Sequence, residues 1–283
     1  VMSRLPVIVG FGGYNSAGRS SSHHAYRRMV IDAMSAELRQ ETFADLATMM
    51  GLVRHDGENF IADDGQRYTI AELEKKFGHQ ICERTLVRRI ETQHFDVDAV
   101  HWHQKVSLQN EGGQGVTFVV AKKQLPTPVP ADWQLQELND DKVRVTLTNA
   151  LDVKVDSYRE MPAKAAGQLP TGFEPGALYK SRFHPRALQM AIVGASDAIN
   201  SLGIGWQTVV DAVKPDEIAV YASNAMSQLD EAGLGGMVQS RLKGGRVTTK
   251  QCPLGLNTMT ADFVNAYVLG SVGATGAITG ACA

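Results

Sequence analysis

Three features of the C-terminal third predict an α/β layered core. After His184-Pro185, the residues Leu188, Ala191, Ile192, Ala195 and Ile199 recur at helical spacing up to Gly203, which specifies a largely buried helix. Glu217 to Ser223 then reads as a strand. Asn257 to Leu269 is a second apolar helix, and it hands the chain to Gly273-Ala274-Thr275-Gly276-Ala277-Ile278-Thr279-Gly280-Ala281-Cys282-Ala283, a run of small residues expected to form a buried strand ending in a sharp turn. Helix, strand, loop, helix, strand is the alternation that builds a sheet covered by helices.

Composition sets outer bounds. With 283 residues and 43% apolar content the chain can bury a substantial core as one large or two ordinary domains. A formal charge of −2, from 28 basic and 30 acidic side chains, supplies no global field for nucleic acid or an anionic membrane, so neither is expected as a partner. Cys82, Cys252 and Cys282 are far apart and odd in number, which argues against a disulfide framework or zinc finger and for a reducing, cytoplasmic setting. The first residues, Val1-Met2-Ser3-Arg4, run straight into Leu5-Pro6-Val7-Ile8-Val9 without the pattern of a signal peptide. Phe263 to Ala283 carries no charge, but its four glycines and its Asn, Ser and Thr residues favour helix end, turn and strand over a membrane span.

In chain order, Val7-Ile8-Val9 is expected to be a buried strand entering a glycine turn, Gly10 to Gly18. A dinucleotide fingerprint starting at Gly10 would need glycine at position 15, where Asn15 stands. His23 to Met50 predicts one or two helices ending near Gly51, with His23-His24 exposed rather than metal-binding. The turn-rich stretches His55 to Asn59 and Ala62 to Gln66 flank a small hairpin, and Ile70 to Phe77 is a short charged helix. His101-Trp102-His103 places both histidines on one face of a strand; with no third ligand at suggestive spacing they read as surface residues. Val116 to Ala121 and Lys142 to Leu147 are strands, the second exposed by its charged and apolar alternation. Leu125 to Pro130 and Met161 to Gly176 are connectors rich in proline or glycine.

Two readings of the chemistry stay open from residues alone. Cys282 is either a buried thiol in a small-residue strand or a nucleophile at a strand-to-turn junction, where Gly280 permits the turn and small flanks admit an acyl group. The loop Ser223 to Gly236, with Ala225, Met226, Leu229 and Leu234 among glycines, is either an adaptable pocket wall, mobile or close to a ligand, or an ordinary connection packed on the core.

The residues Val7 to Phe11, Met49-Met50-Gly51-Leu52-Val53, Arg88 to Glu91 with Phe95-Asp96, Ala166 to Phe173, Asn257-Thr258-Met259 and Gly280-Ala281-Cys282-Ala283 together resemble the β-ketoacyl-acyl-carrier-protein synthases. The likeness covers nearly the whole chain and is strongest to the branch holding the ketosynthase of the fungal type I fatty-acid synthase and the initiating synthases of pseudomonads. The Gly-Ala-Cys-Ala end is its most specific part. The resemblance implies a thiolase-like layered fold, of which this chain would be the first, N-terminal half with extra helical and β segments. Residues 1–171 would hold the first core strand and the branch's insertions, and residues 172–283 the first thiolase-like half up to the nucleophile.

The implied activity is acyl transfer: Cys282 takes an acyl group and condenses it with malonyl-acyl carrier protein after decarboxylation. Ala225, Met226, Asn257 and Met259 are the expected substrate contacts. Acyl-CoA and the carrier protein are the implied substrates, a homodimer the implied assembly, and no cofactor is implied. The pattern breaks at one point: two histidines and a lysine beyond the cysteine serve decarboxylation in the family, whereas all eight histidines of this chain precede Cys282. A fragment of a longer protein is therefore expected. The alternatives are a non-catalytic subunit shaping a partner's acyl pocket and a thiolase-type acyltransferase.

Overall fold

The computed structural model describes residues 5–109, 112, 115–181, 183–224 and 228–278. The chain divides into two compact units, one made of Val1–Arg88 with Ala166–Ala283 and the other of Arg89–Ala165.

The first unit corrects one expectation at its start. Val7-Ile8-Val9 forms no strand, and Val7 and Ile8 are 77% and 87% exposed. A β-branched run specifies a core strand only where neighbours cover both faces, and those neighbours are not written in the run itself. The glycine turn that follows is fastened to a helix instead: Phe11 N–H donates to Ser201 Oγ at 2.8 Å and Gly13 N–H to Asp197 Oδ2 at 2.9 Å. A β-carbon on Gly12 would stand 2.3 Å from the Ala198 nitrogen, so glycine at this position serves close approach to the helix backbone.

A two-residue hairpin, β1 (Tyr14–Asn15) and β2 (Gly18–Arg19), leads into α1 (His24–Met29) and α2 (Ala36–Met49). Ser35 caps α2 by accepting from Leu38 N–H, and Gly51, at φ +69°, lets the chain turn away after it. Strands β3 (Val53–His55), β4 (Phe60–Ala62) and β5 (Arg67–Tyr68) form an antiparallel meander over the expected hairpin region. Helix α3 (Ile70–Glu83) opens with a Thr69/Glu72 capping box and runs six residues past its expected end. It continues through Gly78 because that residue packs on the Phe43 ring of α2; burial of Phe43, Leu46, Leu73 and Ile81 outweighs the ~1 kcal/mol helix penalty of one glycine. Strand β6 (Val87–Arg89) follows.

The second unit is built mainly of strands: β7 (Val100–Leu108), β8 (Val116–Ala121), β9 (Trp133–Glu137), β10 (Lys142–Leu147) and β11 (Leu151–Arg159). Strands β8, β10 and β9 form one antiparallel sheet and β7 pairs with β11 as a ribbon. Lys142 to Leu147 is therefore not an exposed strand but a central one. Its alternation survives, with Val143, Val145 and Leu147 packed inward against Phe118 and Trp133 and the charged half facing out.

After β12 (Ala165–Gly167), which pairs with β6, the first unit resumes with α4 (Arg186–Asn200), α5 (Trp206–Ala212), β13 (Ala219–Tyr221), α6 (Leu234–Gln239), α7 (Gln251–Gly255), α8 (Thr260–Val264) and β14 (Ala274–Gly276). The predicted apolar helix is present as a turn at Asn257–Met259, then α8, then a π-type turn at Asn265–Leu269 closed by Gly270 at φ +82°. Leu188 and Ile192 of α4 meet Val220, Leu254, Ala261, Val264, Leu269 and Val272 in one core. Among the described residues no helix is long and apolar enough to cross a membrane.

Candidate active site

Strands β13 and β14 run parallel, with Ala219 opposite Ala274, Val220 opposite Thr275 and Tyr221 opposite Gly276. Ala274 N–H donates to the Ile218 carbonyl at 3.0 Å and Ala222 N–H to the Gly276 carbonyl at 3.2 Å. Both strands thus release their chains at the same edge, residues 222–224 from one and 277–278 from the other. The carboxyl end of parallel strands is where α/β proteins bind ligands.

Small residues make this pairing feasible. A β-carbon on Gly273, itself at φ +68°, would lie 1.8 Å from the Ile218 carbonyl, and one on Gly276 would lie 2.7 Å from the Tyr221 ring. The glycines expected for close backbone approach do serve that purpose. Burial of the strand, by contrast, is corrected over its described part, where Ala274, Thr275, Ala277 and Ile278 are exposed, Ile278 by 68%; positions 279–283 lie outside the described residues. One partner strand covers one edge of β14, and no described strand pairs with the other.

Helix α8 is tied to β14 by one side-chain bond, and α5 to the turn after α8 by another. Thr275 Oγ1 donates to Asp262 of α8, and Trp206 Nε1 donates to the Leu269 carbonyl at 3.1 Å. Asn257 and Met259 occupy the half-buried turn that enters α8. Cys282, Ala225 and Met226 lie outside the described residues. On either side of positions 225–227, Ser223 Oγ and Gln228 Oε1 are buried without a hydrogen-bond partner among the described residues. The glycines after them serve close packing. β-carbons on Gly235 and Gly236 would each stand 1.9 Å from a carbonyl oxygen, of Leu229 and Glu231, so these positions are packed tight against the chain's own backbone.

An aromatic cluster joins the segment before α4 to α8 and the turn after it. His184 Nδ1 meets the Tyr179 hydroxyl at 2.8 Å, and its ring packs edge-on against Phe263 and Tyr267. Burial lowers the His184 pKa and raises that of Tyr179, which favours a neutral imidazole and a protonated phenol sharing the hydrogen bond. A cavity of about 330 Å³ is lined by Tyr14, Arg19, Tyr179, Asp197 and Tyr267 among others. The Asp197 carboxylate is fully buried and accepts from Gly13 N–H, from Ser21 Oγ at 2.7 Å and from Arg19. Saturated in this way, it holds the glycine turn against α4. Cys82 and Cys252 are exposed free thiols.

Three of the stretches that carried the family resemblance converge in the first unit. Arg88 donates to the carbonyls of Gln168 and Leu169 at 3.0 and 2.7 Å and to Thr171 Oγ1 at 3.1 Å, and Gly172 abuts Met50.

No family model matches the chain. It is 58% identical over 282 residues to the β-ketoacyl-[acyl-carrier-protein] synthase FabY of Pseudomonas aeruginosa, a match spanning 100% of this chain and 44% of that protein. The chain is a relative of the β-ketoacyl synthases. The crystal structure of the noncanonical ketosynthase FabY from P. aeruginosa superposes with a TM-score of 0.91, again over 100% of this chain and 44% of that one. The ketosynthase fold expected from sequence, thiolase-like α/β with added helical and β segments, is borne out. This ketosynthase relative spans less than half the length of the protein it matches.

One grouping escaped the sequence reading. His101 and His103 of β7 are joined by Asp156 of β11. Nothing in the linear sequence signals it, because only strand register brings position 156 opposite 103.

Proposed function

We propose that this chain is the cysteine-bearing part of a β-ketoacyl-acyl-carrier-protein synthase, with Cys282 as acyl acceptor. The observation that carries the reading is 58% identity over the whole chain to a protein of that activity, joined to a Gly-Ala-Cys-Ala sequence that follows the carboxyl end of a parallel strand. The Cys282 thiolate attacks the acyl thioester; the carbon–sulfur bond of the enzyme forms as the donor thiol leaves. Malonyl-acyl carrier protein then loses carbon dioxide, and the carbanion attacks the acyl-cysteine, returning the thiolate and releasing a 3-oxoacyl thioester. Since all eight histidines precede Cys282, the groups that promote decarboxylation are supplied in this reading by polypeptide beyond residue 283.

Acyl-CoA and acyl carrier protein are the proposed substrates, no cofactor is required, and the proposed setting is the cytoplasm. A homodimer is supported by exposed Tyr221 and Ile278 at the β13–β14 edge, apolar surface of the kind a subunit contact buries. Ala225, Met226, Asn257 and Met259 are the proposed substrate contacts, the first two following β13 in sequence and the others in the turn entering α8.

Peptide mass spectrometry of the full-length protein after incubation with an acyl thioester tests the assignment. Acyl adduct on Cys282, lost in Cys282→Ala, is expected; adduct on the exposed Cys82 or Cys252 with none on Cys282 overturns it. Release of carbon dioxide from malonyl-acyl carrier protein separates condensation from thiolase-type transfer, which proceeds without it.

A further inference from the structure

The ribbon of β7 and β11 has one wholly polar face. Antiparallel register sets His103 opposite Asp156, His101 opposite Tyr158, Lys105 opposite Lys154 and Ser107 opposite Asp152. Its other face carries Trp102, Val106, Val153 and Val155, with the Arg159 guanidinium 4.8 Å from the centre of the Trp102 ring. On the polar face Asp152 is already engaged by Lys105 at 2.6 Å and by Ser107. Among the described residues no lysine pairs with Asp156. Its carboxylate lies 2.8 Å from His101 Nε2 and 3.3 Å from His103 Nδ1, and the two imidazole rings stand nearly perpendicular at 4.8 Å between centroids.

We propose that His101, His103 and Asp156 form a binding site for a divalent first-row transition metal ion, zinc in the first instance. One ligand atom from each of the three side chains lies within 4.8 Å of the other two. Tetrahedral coordination with bonds of about 2.1 Å needs donor atoms roughly 3.4 Å apart, so side-chain rotation closes the set without moving the backbone. Two imidazoles and a carboxylate are the donor chemistry that zinc, nickel and copper share and that calcium and magnesium do not favour. The partial exposure of all three groups leaves outer coordination positions open to water. Because the ligands come from both strands, the ion clips the ribbon, and a two-stranded ribbon gains most from such a link since it is marginal alone. The site is independent of Cys282 and of the reading of this chain as a ketosynthase.

The test is titration of the full-length protein, free of any polyhistidine tag, with Zn²⁺ by calorimetry and with Co²⁺ by its visible ligand-field absorption. Wild type and His79→Ala should bind one ion with equal affinity, His79 being a second exposed histidine beside a carboxylate, Glu83 at 3.3 Å. His103→Ala and Asp156→Asn should each lose at least about tenfold in affinity, a ligand costing no less than the outer-shell partners whose loss costs that much. Undiminished binding in both variants, or no saturable binding to wild type, overturns the site. Should a variant fail to fold, wild type alone decides: Zn²⁺ should protect His101 and His103 from carbethoxylation, and equal modification with and without the ion overturns the proposal.

Discussion

Gly172 lies against the carbonyl of Met50, where a β-carbon would come within 2.2 Å of the oxygen. Its φ of +93° is itself a conformation L residues avoid. Gly172→Ala should therefore destabilise the protein by about 2–4 kcal/mol, combining backbone strain with a clash against main chain that cannot rotate away. Urea unfolding measures it, and an unchanged midpoint would show that the contact relaxes freely.

Asp197→Asn removes the charge that faces Arg19 and weakens a carboxylate bonded to Gly13 N–H and Ser21. A fully buried pair broken on one side costs 3–5 kcal/mol, but the Arg19 side chain is 38% exposed and water screens it, so about 2 kcal/mol is expected. Denaturant unfolding should show that loss, together with faster amide exchange at Gly13.

His184 makes stability depend on pH. Burial holds its folded pKa below the unfolded value of about 6.5, so at pH values between the two the unfolded chain binds more protons. Stability from this group is present above the unfolded pKa and is lost as pH falls toward and through the folded one. Thermal midpoints should drop from pH 7.5 to pH 5, and His184→Gln should flatten that part of the profile. A slope unchanged in the variant would assign the effect to other groups.

Enlarging Ala225 to Phe tests the loop after β13 as a wall of the acyl site. In the full-length protein long acyl donors should lose kcat/KM by more than about tenfold while acetyl donors lose far less. Equal loss across chain lengths leaves the loop a structural connection.

Much of the first unit was legible along the chain because its signals are local. Helical spacing in Leu188 to Ile199, the turn-forming Gly51 and Gly203, the run from Asn257 to Leu269 and the glycines that let β14 approach β13 are each complete within one segment. The candidate nucleophile was legible for the same reason, since Gly-Ala-Cys-Ala is contiguous.

Sequence by itself determined the α/β alternation, the small-residue strand and the kinship with ketosynthases. Tertiary structure alone decided which apolar runs are covered: Val7 to Val9 and Ile278 remain exposed, whereas Lys142 to Leu147 became the centre of a sheet. It alone sent α3 through Gly78 onto Phe43, and it alone placed Asp156 beside His101 and His103. Coverage, packing and register are relations between segments far apart in the chain, and their free energy exists only once those segments meet.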